Sequence, residues 1–382
     1  MRFVLSTTVQ AHTFDAAKAL RSRGHLAALF AGYPARKLAG RGLAGPEVRT
    51  YPAPVLTWLA ANRVVKNSWF QQRSEAWPKV AFDRHVARRL PDADVLVATS
   101  SVGLFSGRAA RARGMAWVCD RPACHIVTQN QLLAEEYERH GLRWPGIHPA
   151  VIERELAEYE EADAVLVASE FARRSFLDHG FDDRRLWVVP YGIDLRDFYP
   201  EPREADGRFT VLFVGQVSLQ KGVGYLIDAF KRVTHPQKRL IIVGSWVEET
   251  DLFRRRCGSE AATFTGAVPR DQLRRHMSEA DVLVLPSIQD GYGMVVDQAM
   301  ACGCPCIVSD HAGSADTVRD GVNGFVFPAR DVDALAARLQ RLADDPDLRA
   351  AMREAAVAAA GARGGWDAYA DNLTARSEAL RR

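Results

Sequence analysis

Two glycine-bearing loops hold the residues best suited to chemistry. The first reads Gly215-Gln216-Val217-Ser218-Leu219-Gln220-Lys221-Gly222-Val223-Gly224 and follows a short apolar run. A glycine loop that opens a helix offers backbone N–H groups and the positive helix end to an anion. Lys221 adds a mobile point charge suited to phosphate. The spacing fits neither the Walker loop nor the dinucleotide fingerprint, and glycine loops also serve as plain connectors. The second loop, Asp290-Gly291-Tyr292-Gly293-Met294-Val295, carries one acid and starts a helix near Gly293. Its N–H groups near 292–294 can bind a second anion, and Asp290 falls in the same crevice. Gln298, on the first turns of that helix, is positioned to reach a ribose hydroxyl; Asp297 points roughly 100° away. A helix cap would explain Asp290 alone, but not two anion-ready loops.

The elements that must carry these loops read as strands of parallel sheets. Three runs share one pattern: Val95–Ser100, Val165–Ser169 and Val282–Ser287 each follow an Ala-Asp step, are continuously apolar, and end in a small polar residue. Such runs are buried on both faces, and their polar ends lie at the edge where α/β sheets bind ligands. Asp92-Ala93-Asp94 precedes its strand, so it reads as a helix-to-strand turn rather than a metal pair. Further strands are expected at 2–5, 26–30, 117–119 and 186–189, then at 210–214, 240–243, 263–265, 306–308 and 324–326. Amphipathic helices are expected between them, at 15–23, 148–161, 225–234, 270–279 and 332–343. This alternation predicts a doubly wound α/β fold.

A chain of 382 residues is long for one core and suits two domains. Pro190-Tyr191-Gly192-Ile193-Asp194 and the polar, proline-containing stretch 200–207 mark the boundary. The reading is an N-terminal Rossmann-like domain over 1–190 and a second over 191–365. A last helix, 366–382, returns to the first domain.

Apolar content of 47% and charged content of 25% are those of a globular protein. No apolar run reaches the roughly 18 residues of a membrane span, and the N-terminus shows no leader pattern. A cytoplasmic location is expected. Six cysteines do not suggest a disulfide framework, and the alternating Cys302, Cys304 and Cys306 lack zinc-site spacing. Buried thiols are expected there.

The net charge of +3 is unevenly spread. Residues 1–113 hold 18 Lys/Arg against 6 Asp/Glu, a balance of +12 that leaves −9 for the rest. An anionic partner would suit this front end, and so would plain solvated helix faces. Within it, Trp58, Trp69, Phe70 and Trp77 interleave with Arg63, Lys66, Arg73 and Lys79. Either an interfacial surface or a helical insert with core aromatics accounts for that pattern. No nucleic-acid motif accompanies the charge.

The second half resembles the retaining GT-B glycosyltransferases of the family-4 kind. Gly215–Gly222 with Tyr225–Phe230, and Asp290–Gly293 through Ala299–Ile307, carry the likeness. Val188–Asp194, Gly266-Ala267-Val268, Gly313 and Asp320–Phe325 support it, while the first half matches more thinly through Ala168-Ser169-Glu170-Phe171. The resemblance implies two Rossmann-like domains facing across a cleft and a nucleotide-sugar donor on the second. It implies a donor site of Gly215, Gln216, Lys221, Val268, Asp290, Gly291, Tyr292, Gly293, Met294, Val295 and Gln298. Catalytic roles fall to Lys221, Asp290 and a histidine near a first-domain strand end, for which His125 is the candidate. Asp120, Arg121 and Arg173 are acceptor-side candidates.

This chain departs from the family at three of those positions. Asp290 and Gln298 stand where the family has a pair of glutamates, and Gln216 where it has a phosphate-binding arginine. Asp290 keeps the charge with a shorter reach, and Gln298 keeps an acceptor oxygen. The implied reaction is transfer to a glycan or lipid-linked acceptor with retention, in surface polysaccharide or glycoconjugate synthesis. It would need no metal or other cofactor, and peripheral contact with an anionic inner-membrane face fits the basic front end. Rival readings are a non-catalytic nucleotide-sugar binder, a sugar-nucleotide epimerase and a phosphorylase-like enzyme.

Overall fold

The computed structural model describes all residues except 9–11, 66–73, 204–206, 248, 259–261 and 382. Seven strands form the first sheet: β1 (Phe3–Thr7), β2 (Leu26–Ala31), β3 (Val48–Thr50), β4 (Val95–Thr99), β5 (Ala116–Asp120), β6 (Ala164–Val167) and β7 (Leu186–Val188). Their order is β3-β2-β1-β4-β5-β6-β7. The second sheet contains β8 (Phe209–Val214), β9 (Lys238–Val243), β10 (Ala262–Gly266), β11 (Val282–Leu285), β12 (Cys306–Ser309) and β13 (Gly324–Phe327), in the order β10-β9-β8-β11-β12-β13. The named strands pair in parallel throughout both sheets.

The continuously apolar strands sit where their composition requires. Every residue of β4 and β11 is buried, because helices cover both faces of a parallel sheet. In the second domain Phe213, Phe230 and Phe325 lie within one fully buried cluster. Leu283, Leu285 and Cys302, Cys304 and Cys306 lie in another. The edge strand β3, Val-Arg-Thr, is half-buried and carries no apolar run, so nothing in its sequence announces it.

The aspartates before the recurring strands share one role. Asp94 accepts from Arg2 N at 2.6 Å, Asp163 from Trp117 N at 2.8 Å, and Asp281 from Thr210 N at 2.7 Å. Each carboxylate thus satisfies an N–H at the start of the neighbouring strand, a group that would otherwise lose its partner. These acids belong to the sheet edge opposite the ligand crevice.

In both sheets strand order reverses beside the first strand, at β1/β4 and at β8/β11. Ligands of such sheets bind outside the carboxyl ends of the strands at that reversal. The connection between domains passes through Tyr191 and Gly192, where a Cβ on Gly192 would stand 2.3 Å from Trp366 N. Only glycine fits there. The helix Trp366–Glu378 then lies against the helix Thr13–Ser22 of the first domain, with Arg23 bound by Asp367 and Asp371.

Candidate functional site

Both glycine loops end at the second-domain reversal. Gly222 has φ +67 and precedes the helix Val223–Arg232; a Cβ there would meet Pro286 O at 1.9 Å. Gly293 has φ +86 and precedes the helix Met294–Ala301; a Cβ there would meet Leu285 Cδ2 at 2.6 Å. Glycine therefore serves two purposes at each position: it takes a left-handed backbone and lets a loop press onto a strand end. Ile288 N donates to Gln220 O at 2.9 Å, so the loops are stitched together. Two helix N-termini consequently open side by side.

Lys221 Nζ lies 2.5 Å from Asp290 Oδ2, with both side chains mostly covered. Asp290 is held through its backbone: its N donates to His311 O at 3.1 Å and its O accepts from Gly313 N at 2.9 Å. The one cation of the first loop and the one acid of the second are thus an ion pair, at the mouth of two positive helix ends. Gln216 is exposed beside them, and Val268 and Val295 are half-buried.

Gln298 is half-buried and lines a cavity of about 70 Å³ with Met294, Lys18, Asp194 and Arg270. Its neighbour Asp297 is taken up by structure. Tyr292 Oη donates to Asp297 Oδ2 at 2.5 Å, and Arg363 Nη1 to Asp297 Oδ1 at 3.2 Å. Burial pushes the Asp297 carboxyl up, and Arg363 opposes that.

Across the junction the first domain touches this loop directly. Ser169 Oγ donates to Gly291 O at 2.7 Å, and a Cβ on Gly291 would stand 2.2 Å from Pro122 O. A Cβ on Gly313 would stand 2.4 Å from Ser169 Oγ. Glu170 N donates to Asp316 Oδ2 at 2.6 Å. Gly291 and Gly313 are therefore required by close contact between the domains. At the other flank Tyr225 Oη donates to Glu136 Oε2 at 3.1 Å, and Arg330 Nε to the same oxygen at 2.9 Å.

His12, not among the expected site residues, is brought to this junction. His12 Nε2 lies 2.6 Å from Asp120 Oδ2, with both side chains buried. Its ring stacks on Tyr191 at 4.2 Å, and Tyr191 meets Tyr292 edge-on at 4.9 Å. Asp120 is the last residue of β5. The only available signal for His12 was its place before the first helix, at the β1 reversal.

His125 is different. Its ring is enclosed by Tyr159 at 5.3 Å, Phe176 at 4.9 Å and His179 at 4.1 Å. Burial, reinforced by His179 and Arg121, lowers its pKa to about 3. The expectation of a cleft-facing catalytic histidine at 125 is corrected accordingly: the side chain sits in an aromatic cage of the first domain. Arg121 is a strut of that domain, bound to Glu155 at 2.7 Å, Cys124 O, Ser100 Oγ and Gln129. Arg173 is paired with Glu170 and Asp183.

The six cysteines are buried and form no disulfide. Among the described residues, no group of three or more His, Cys, Asp or Glu is arranged around a metal position. No helix among them is long and apolar enough to cross a membrane.

Comparison with known proteins agrees with this geometry. Residues 196–358 match the family described as glycosyl transferases group 1, and residues 9–197 match glycosyltransferase family 4. A D-inositol 3-phosphate glycosyltransferase of Xylanimonas cellulosilytica is 32% identical over 53% of this chain and 54% of its own length. A GDP-mannose-dependent alpha-(1-6)-phosphatidylinositol monomannoside mannosyltransferase of Mycolicibacterium smegmatis is 30% identical over 50% and 56%. The chain spans about half the length of the curated relatives it matches. In fold it is similar to sucrose-phosphate synthase from Thermosynechococcus elongatus, with TM-score 0.73, 21% identity and coverage of 100% and 99%. The Anabaena protein HepE in complex with UDP-glucose aligns with TM-score 0.73, 18% identity and full coverage of both chains. With its first half matching one of these sequence families, its second half the other, and both folded as such proteins fold, the chain belongs to the GT-B glycosyltransferases of the family-4 kind.

Proposed function

We propose that the protein transfers a glycosyl group from a nucleoside-diphosphate sugar to a hydroxyl of a glycan or lipid-linked acceptor, with retention and without a metal. One observation carries this reading: Lys221 and two helix N-termini converge beside the β8/β11 reversal, facing the His12–Asp120 pair of the other domain. The anomeric C–O bond breaks, and its electron pair goes to the leaving diphosphate. Lys221 and the backbone N–H groups at 292–294 stabilise that charge as it grows. The acceptor oxygen bonds to the anomeric carbon on the same face, and its proton passes to a leaving phosphate oxygen. Asp120, oriented by His12, holds a hydroxyl of the sugar or acceptor at the first-domain side. The relatives' names mention GDP-mannose and UDP-glucose, so a nucleoside-diphosphate sugar is the shared donor class.

A thermal-shift panel of UDP-, GDP-, dTDP- and ADP-sugars tests the donor, because a ligand of the native state raises Tm. At least one should raise it, and that donor should then be turned over with a glycan or lipid acceptor panel. Turnover is expected to survive EDTA. Loss of turnover that Mn²⁺ or Mg²⁺ restores would rule out the metal-free mechanism. Gln216 and Gln298 in place of charged family residues support a second reading, a nucleotide-sugar binder without turnover; a Tm shift with no product would favour it.

The acceptor side also suggests where the protein works. The helix Ala53–Val64 exposes Leu56, Leu59 and Val64 beside Arg63. Trp77 is 52% exposed nearby in sequence, whereas Trp69, Phe70, Lys66 and Arg73 lie outside the described residues. Apolar and cationic side chains together suit the face of an anionic bilayer, at about 1 kcal/mol per surface cation. Binding to anionic vesicles should fall steeply with salt, and Leu56→Ser with Arg63→Glu should weaken it while sparing donor binding. A protein that ignores anionic vesicles at low salt would point to a soluble acceptor.

A further inference from the structure

We propose that the exposed indole of Trp246 is the platform on which the donor's nucleobase stacks. The inference rests on the donor reading above and extends it to the part of the ligand that Lys221 does not touch.

The backbone at Trp246 is fixed between the phosphate loop and the end of β10. Gly244 has φ +154, and a Cβ there would stand 1.6 Å from Gly215 O. Gly244 N donates to Gly266 O at 2.9 Å, and Val217 N to Ser245 O at 3.0 Å. Thr250 Oγ1 accepts from Val247 N at 2.8 Å and donates to Val217 O at 3.2 Å, which anchors the far side. On this anchored loop the Trp246 side chain is 53% exposed.

What surrounds the ring makes it a shelf. The Arg254 guanidinium lies 4.0 Å from the indole centroid and 5.6 Å from that of Phe264, so one side is backed by a cation that is itself sandwiched. Gly266, at φ +74, would bring a Cβ no nearer than 4.0 Å to the indole. Val268 follows two residues later and is half-buried.

Position then selects the occupant. Neighbouring strands lie about 4.8 Å apart. The first glycine loop is tied to the β9 end through Val217 N and Ser245 O, so a nucleoside that runs from the diphosphate along that loop brings its far end one to two strands outward, over β9 and β10. Trp246 follows β9. Every base has a π-face, and stacking on an aromatic side chain is sequence-tolerant. The platform therefore accepts pyrimidine and purine, and the larger purine face gains more.

Calorimetry with UDP, GDP and inorganic pyrophosphate separates this from the phosphate site. Trp246→Ala should weaken UDP and GDP by about 5- to 150-fold, GDP by the larger factor. Pyrophosphate affinity should stay unchanged, and Trp246→Phe should restore most of the nucleotide affinity. Equal nucleotide affinity in Trp246→Ala, with pyrophosphate still bound, would overturn the platform and leave the donor site standing. An equal loss for pyrophosphate would overturn it too, since the ring would then be supporting the phosphate loop. A wild-type protein that binds neither nucleotide nor pyrophosphate would overturn both readings.

Discussion

Replacing Lys221 with alanine is expected to weaken nucleoside-diphosphate binding by about 1.5–3 kcal/mol, or roughly 10- to 150-fold. Two effects of the same sign add. The first is loss of a charge-assisted contact to phosphate. The second comes from Asp290, whose Oδ2 lies 2.5 Å from Lys221 Nζ and whose side chain is only 14% exposed. Without the lysine that carboxylate is unpaired and faces an incoming dianion, so repulsion replaces neutralisation. The double variant Lys221→Ala with Asp290→Asn should therefore recover part of the affinity lost in the single one. Lys221→Arg should fall between them, because its planar fork keeps the charge but not the compact geometry. Titration calorimetry with the best nucleotide of the panel measures all three. Unchanged affinity in Lys221→Ala would show that the phosphates lie elsewhere.

How much of this was legible in the sequence follows from what each signal depends on. Strands buried on both faces must be apolar along their length, so β4 and β11 declared themselves. The edge strand β3 is half-buried and short, and has no such constraint. The glycine loops were legible because a left-handed residue before a helix needs glycine, as Gly222 and Gly293 do. Gly291 was read as part of the anion loop and Gly313 only as part of the family likeness, yet their small size is demanded by the first domain pressing on them. That reason needs three dimensions. So does His12: its partner Asp120 is 108 positions away, and only the β1–β4–β5 order brings the two strand ends together. His125 was misread for the converse reason. A histidine after a strand end looks like a crevice residue, and nothing local reveals that Tyr159, Phe176 and His179 close around it.

That cage makes a prediction about acid stability that distinguishes a structural histidine from a catalytic one. His125 titrates near 3 in the fold, because burial, His179 and Arg121 all disfavour the imidazolium, against about 6.5 in an unfolded chain. Between those values the unfolded state binds a proton that the folded state refuses. The contribution of this group to stability is therefore complete above pH 6.5 and is lost as pH falls towards 3, by at most about 1.4 kcal/mol per pH unit. The variant His125→Phe keeps an aromatic ring against Phe176 and His179 and removes both the titration and the buried Nδ1, which has no partner. Overpacking by the larger ring shifts stability by a constant amount at every pH. The informative quantity is thus the change with pH. Urea unfolding at pH 7 and pH 4.5 should show the wild type losing about 2 kcal/mol more than the variant over that interval. Donor affinity and turnover of the variant at pH 7 should match the wild type, since the ring is enclosed by Tyr159, Phe176 and His179. Equal pH dependence of stability in the two proteins, together with a large fall in turnover, would instead place the His125 side chain in the reaction.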